Sequence, residues 1–118
     1  MLFKLFKSRL VKEVFISHFN KLPDTIKIDW LREGNFLVGT INADNEEYCF
    51  QALSAKEFVD TVNNILFEAN NIPLEYQKEL LKNGRFMPDK EELEKLNNFA
   101  IKKSELSLEK NLQEQPAW

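Results

Sequence analysis

Hydrophobic and polar positions change period twice along this chain. Over residues 2–20, Leu2, Phe3, Phe6, Leu10, Val14 and Phe15 recur near helical spacing, with Lys4, Lys7, Arg9 and Lys12 between them. That spacing predicts a helix ending near Lys21, with Pro23 as its stop. From Thr25 the period falls to two. Ile26, Ile28 and Trp30 alternate with Lys27 and Asp29, which predicts a strand over Thr25–Leu31. Glu33-Gly34-Asn35 reads as a turn, because Gly and Asn tolerate positive φ. The apolar run from Phe36 to Ile41 predicts a second strand, Phe36–Asn42, central in its sheet and covered on both faces. After a turn at Ala43-Asp44-Asn45-Glu46, a third strand is predicted at Glu47–Leu53, containing Tyr48, Cys49 and Phe50. Connections this short make the pairings antiparallel.

The helical period then returns. Ser54-Ala55-Lys56-Glu57 has the form of a capping box, in which the Ser54 hydroxyl accepts from the Glu57 amide and the Glu57 carboxylate reaches back to Ser54. Phe58, Val62, Ile65, Leu66 and Ala69 follow on one face, and Asn70-Asn71 with Pro73 ends the helix. A further helix is predicted over Leu74–Lys82, stopping at Asn83-Gly84. Pro88-Asp89 opens another, with Leu93, Leu96 and Ala100 directed inward. Residues 104–118 are polar, with only Leu106, Leu108 and Leu112 to suggest a pattern, and read as a partly ordered tail. The expectation is therefore a single α+β domain over residues 1–103. It consists of a three-stranded antiparallel meander packed on a capped helix, with an N-terminal helix and C-terminal helices completing the core.

Composition narrows the chemistry. With one Cys and one His in 118 residues, the chain has neither a disulfide framework nor the usual Cys/His set for zinc. Gly34, Gly39 and Gly84 are isolated, so there is no phosphate-cradling loop. Charged residues interrupt every apolar run, which disfavours a signal peptide and leaves no stretch of about 18 apolar residues to span a membrane. A lone Cys suits a reducing compartment, and a cytoplasmic location is expected. The net charge of −3 argues against bulk binding of nucleic acid. Residues 1–30 are locally basic, so an anionic partner would meet that segment first.

Four groups of residues are candidates for chemistry. His18 shares a helix face with Val14, Phe15 and Leu22, and is read as a boundary residue packing its ring. Cys49, between Tyr48 and Phe50 with Glu46 and Glu47 nearby, is read as a small buried hydrophobe rather than a nucleophile. The carboxylates Asp24, Asp29, Asp44, Glu46, Glu47 and Asp60 are scattered, and several lie at turns where solvated charge is the default. Trp30, Phe36, Tyr48 and Phe50 are of the type that stacks on bases in sheet-type RNA readers, but their apolar strands and acidic neighbours fit core packing better. No catalytic residue, metal or cofactor is expected, and an enzyme is not expected.

Over residues 25–71 the order strand, strand, strand, capped helix resembles the HicB-like antitoxins. The matching residues are Gln51-Ala52-Leu53-Ser54, then Glu57, then Phe58, Val62, Ile65 and Ala69. The resemblance implies a non-enzymatic module that neutralises a small, basic ribonuclease toxin by steric cover. Such antitoxins often carry a C-terminal DNA-binding module, yet residues 74–118 are not basic, so DNA is not an expected partner. The alternative is a membrane-surface or adaptor protein using the basic amphipathic segment 2–20. Between the two, Phe3, Phe6, Leu10 and Val14 are expected to bury against the sheet.

Overall fold

The computed structural model describes residues 10–112, and in it the alternating segments become a meander. Strands β1 (Thr25–Glu33), β2 (Phe36–Ala43) and β3 (Glu46–Ala52) pair antiparallel in sequence order. Both turns are two-residue hairpins. Gly34 takes a φ of 59° in the first, and Asp44 and Asn45 take 51° and 62° in the second. The register sets Trp30 beside Gly39 and Gly39 beside Phe50. A Cβ on Gly39 would overlap the rings of Phe50 and Phe58, so glycine here is what lets those rings approach the sheet.

Helix α1 (Lys12–Lys21) precedes the meander, and α2 (Ala55–Ala69), α3 (Leu74–Asn83) and α4 (Lys90–Asn97) follow it. In α2 the buried positions are 55, 58, 59, 62, 63, 66 and 67, the two-turn spacing of a helix with one face against a core. Val59, Asn63 and Phe67 are buried, while the expected Ile65 and Ala69 are half-buried on its flank. The Ser54 hydroxyl accepts from the Glu57 amide at 3.1 Å, as the capping box predicts. The Glu57 carboxylate accepts instead from the Leu53 amide at 3.4 Å, one residue earlier than expected.

The meander is part of a larger sheet. Two further strands, β4 (Phe86–Met87) and β5 (Lys103–Lys110), extend it to five antiparallel strands in the order β3-β2-β1-β5-β4. The expected tail at 104–118 is thereby corrected. Its described part begins as an interior strand, with Leu106 and Leu108 fully buried opposite Ile28 and Ile26. The signal was the alternation of Leu106 and Leu108 with Glu105, Ser107 and Glu109. It is a period-two pattern in a polar context. Residues 113–118 lie outside the described residues.

The N-terminal expectation is corrected too. Its part over residues 2–9, including Phe3 and Phe6, lies outside the described residues. Val11 is extended, and the helix begins only at Lys12. Phe15 is buried, but Val14 is 39% exposed. Helix α1 packs on α3 rather than on the sheet: the Tyr76 hydroxyl accepts from the Val11 amide at 3.1 Å, and the His18 and Tyr76 rings lie 5.1 Å apart. In α4 the Asp89 carboxylate accepts from the Glu92 amide at 2.8 Å and Leu96 is buried. Leu93 is 39% exposed, and Ala100 is exposed beyond the helix end, so neither is buried in the core as expected.

Candidate functional site

The carboxylates named from sequence do not converge. Asp24 precedes β1 and pairs with Lys110 at 3.5 Å. Asp60 lies on α2 between Arg85 and Lys56. Burial pushes its carboxyl upward, but the hydrogen bonds from Arg85 and Lys56 outweigh that and hold it below the usual carboxylate range. Asp44 occupies the hairpin turn, and Glu46 accepts the Tyr48 hydroxyl at 3.1 Å, which raises the phenol. Among the described residues no group of three or more His, Cys, Asp or Glu side chains could hold a metal ion. Nor is any described helix long and apolar enough to cross a membrane.

His18 packs its ring against Tyr76 and is half-buried, and burial followed by the charge of Lys21 lowers its pKa. Cys49 is exposed, which corrects the expectation of a buried thiol. Its Sγ lies 3.6 Å from the Thr40 hydroxyl on the side of the sheet away from Phe50. Trp30 is buried, and Tyr48 and Phe50 are half-buried on the helix side, where Phe50 meets Phe58 with ring centroids 4.8 Å apart. Phe36 is the one member of that aromatic group on the opposite side.

That opposite side is the more open face of the sheet. The expectation that β2 is covered on both faces is corrected, because the described helices pack on one side only: Leu37 and Ile41 are buried, whereas Phe36 is 44% exposed. Strand alternation places Phe36, Val38 and Thr40 of β2 on the open face. Leu31 of β1 is paired with Val38, and Glu33 with Phe36. An apolar patch of Leu31, Phe36 and Val38 therefore sits near the β1–β2 turn. On the same face Glu33 pairs with Phe36, Asp29 lies two residues from Leu31 with Glu105 opposite it, and Lys103 pairs with Leu31, while Glu47, Glu109 and Lys27 lie farther along the sheet. The face is thus acidic with an apolar centre off to one end.

A groove of about 540 Å³ lies between α2 and α4, lined by Ala55, Val59, Met87 and Leu93 together with Lys56 and Arg85. Arg85 and Lys56 both engage the single carboxylate of Asp60. Compared with known proteins, the chain matches no family model, and no curated protein or solved structure is significantly similar.

Proposed function

We propose that this protein is a non-catalytic interaction module that covers part of a basic protein partner with the open face of its sheet. The observation that carries the reading is the apolar patch of Leu31, Phe36 and Val38 beside Glu33 and Asp29, on a face that holds more carboxylates than cations and that no described helix packs against. A partner surface with apolar side chains ringed by Lys and Arg would match it in both polarity and charge. The resemblance to HicB-like antitoxins narrows the partner to a small ribonuclease toxin in the cytoplasm, neutralised by steric cover. The test is titration calorimetry against the short basic product of a neighbouring reading frame. Val38→Lys with Phe36→Ser should abolish binding while the far-ultraviolet spectrum stays unchanged. Unaltered affinity in that variant would remove the open face from consideration.

A second reading, a membrane-surface or adaptor role through the basic N-terminal segment, is favoured by one feature. Val11 and Val14 are both exposed, with Lys12 between them in the chain. Sedimentation with anionic vesicles separates the two. Salt-sensitive co-sedimentation supports the membrane role, and its absence leaves the protein partner.

A further inference from the structure

The two edges of the sheet are finished differently. At one edge β4 is only two residues long. Beyond it, the Glu92 carboxylate of α4 lies 3.5 Å from the Ser107 amide of β5. That edge is short and covered, a usual defence against edge pairing. Among the described residues the other edge is β3, seven residues in unbroken register with β2, with no proline, lysine or bulge. Its two-residue turn closes on the Ala43–Glu46 pair, so hydrogen-bonded pairs alternate from there. Glu46, Tyr48, Phe50 and Ala52 bond to β2. Glu47, Cys49 and Gln51 direct their N–H and C=O groups away from it.

We propose that this edge pairs with the β3 of a second copy, antiparallel about a two-fold axis at Cys49, to form one continuous sheet. This goes beyond the open-face reading and does not depend on it. Cys49 is the midpoint of Glu46–Ala52, so this register overlaps the whole strand. It brings together the residues whose backbone groups point outward: Cys49 with Cys49, and Glu47 with Gln51 twice. Tyr48 then faces Phe50, an aromatic pair on the helix side, and Glu46 faces Ala52. The two carboxylates of β3 lie at one end of the strand, so the two-fold sends them to opposite ends of the interface and no like charges meet. Centring the axis two residues earlier would set Glu47 against Glu47.

The helix above the edge agrees with this arrangement. Asp60 and Asn63 hold one flank of α2 to Arg85 and Phe86, on the β4 side. The other flank, on the β3 side where Phe58 meets Phe50, carries Thr61, Ile65 and Ala69, all half-buried. The two-fold axis stands normal to the joined sheet, so both α2 helices would lie on the same side of it with their Thr61–Ala69 flanks toward the shared edge. That would cover Ile65 and Ala69.

Sedimentation equilibrium of the full chain tests the proposal through two substitutions at an exposed position that leave the monomer's contacts intact. Gln51→Glu sets like charges opposite each other at two symmetric places and should raise the dimer dissociation constant about tenfold. Gln51→Lys sets opposite charges there and should lower it by a similar factor. Mild copper–phenanthroline oxidation should then join the dimer through Cys49, each thiol giving up one proton and one electron to the oxidant. A chain that stays monomeric at 100 µM (on the order of the concentration at which weak dimers form) overturns the proposal. So does a dimer that both Gln51 substitutions leave unchanged, because its interface lies elsewhere.

Discussion

Asn63 and Phe86 exchange two hydrogen bonds inside the core. Asn63 Oδ1 accepts from the Phe86 amide at 2.7 Å, and Asn63 Nδ2 donates to the Phe86 carbonyl at 3.0 Å. The side chain acts as one more strand, satisfying both backbone groups of a residue at the start of the two-residue β4. Asn63 is fully buried, and Nδ2 also donates to the Val59 carbonyl at 2.9 Å, so its amide orientation is fixed from two sides.

Replacing Asn63 with Leu should therefore be costly despite the gain in hydrophobicity. It strands a buried donor and a buried acceptor on Phe86, each worth about 1–3 kcal/mol. A urea melt should show a lower midpoint, and amide exchange should place the loss at Phe86 and Met87 before it reaches β1 and β2. A midpoint within error of the parent would mean that water takes over the pairing.

Two cations perform a matching task on neighbouring strands. Arg32 of β1 donates to the carbonyls of Leu96, Asn98 and Ile101, and its guanidinium lies 4.8 Å from the Phe99 ring. Lys110 of β5 donates to the carbonyls of Phe19 and Leu22 and lies 4.5 Å from the Phe19 ring. Each caps the negative end of a helix, α4 in one case and α1 in the other. Arg32→Lys keeps the charge but cannot serve three carbonyls in one plane. It should cost about 1–2 kcal/mol, with α4 amides exchanging faster while α2 is unaffected. Equal protection of α4 in both proteins would show that the charge alone suffices.

His18 gives the fold a pH dependence of defined sign. Burial against Tyr76 and the charge of Lys21 depress its folded pKa below the ordinary 6.5. The neutral ring is thus the form that fits. Stability from this residue is complete above the unfolded pKa and is lost as pH falls through the folded one. Melting temperature should accordingly drop between about pH 7 and pH 5, and His18→Gln should flatten that part of the curve. Asp60, also depressed, acts in a separate, more acidic window: it stabilises above its unfolded pKa, and that contribution fades as pH falls through the folded value. A slope between pH 7 and pH 5 that survives in His18→Gln would assign the titration to another group.

Local periodicity made the meander, both hairpin turns and the caps at Ser54 and Asp89 legible, because each is set by residues within four positions of one another. The partners of Arg32 and Lys110 were not legible, since they lie more than sixty residues away in the chain. Asn63 is similar: an asparagine among apolar helix positions signals a buried partner, but nothing local says which backbone it serves. The open face of β2 was misread for a different reason. A run of apolar residues fits a strand covered on both sides, but here Phe36 and Val38 sit on the side that the described helices leave open. Exposure of that patch is visible only once the helices are seen to occupy one face.

Its polar sequence makes the segment over residues 104–118 look dispensable. Strand β5 lies between β1 and β4, and Leu106 and Leu108 are both fully buried. If residues 103–110 were a tail, Leu106→Ala would be nearly neutral. As an interior strand, the same change removes apolar surface facing Ile28 and leaves a cavity, costing about 2–5 kcal/mol. Glu105→Ala, one residue away on the open face, serves as the control and should stay within about 0.5 kcal/mol. The contrast between adjacent positions is the diagnostic, because an unpacked tail does not produce it. Two equal and small effects in a urea melt would return the segment to the tail it resembles.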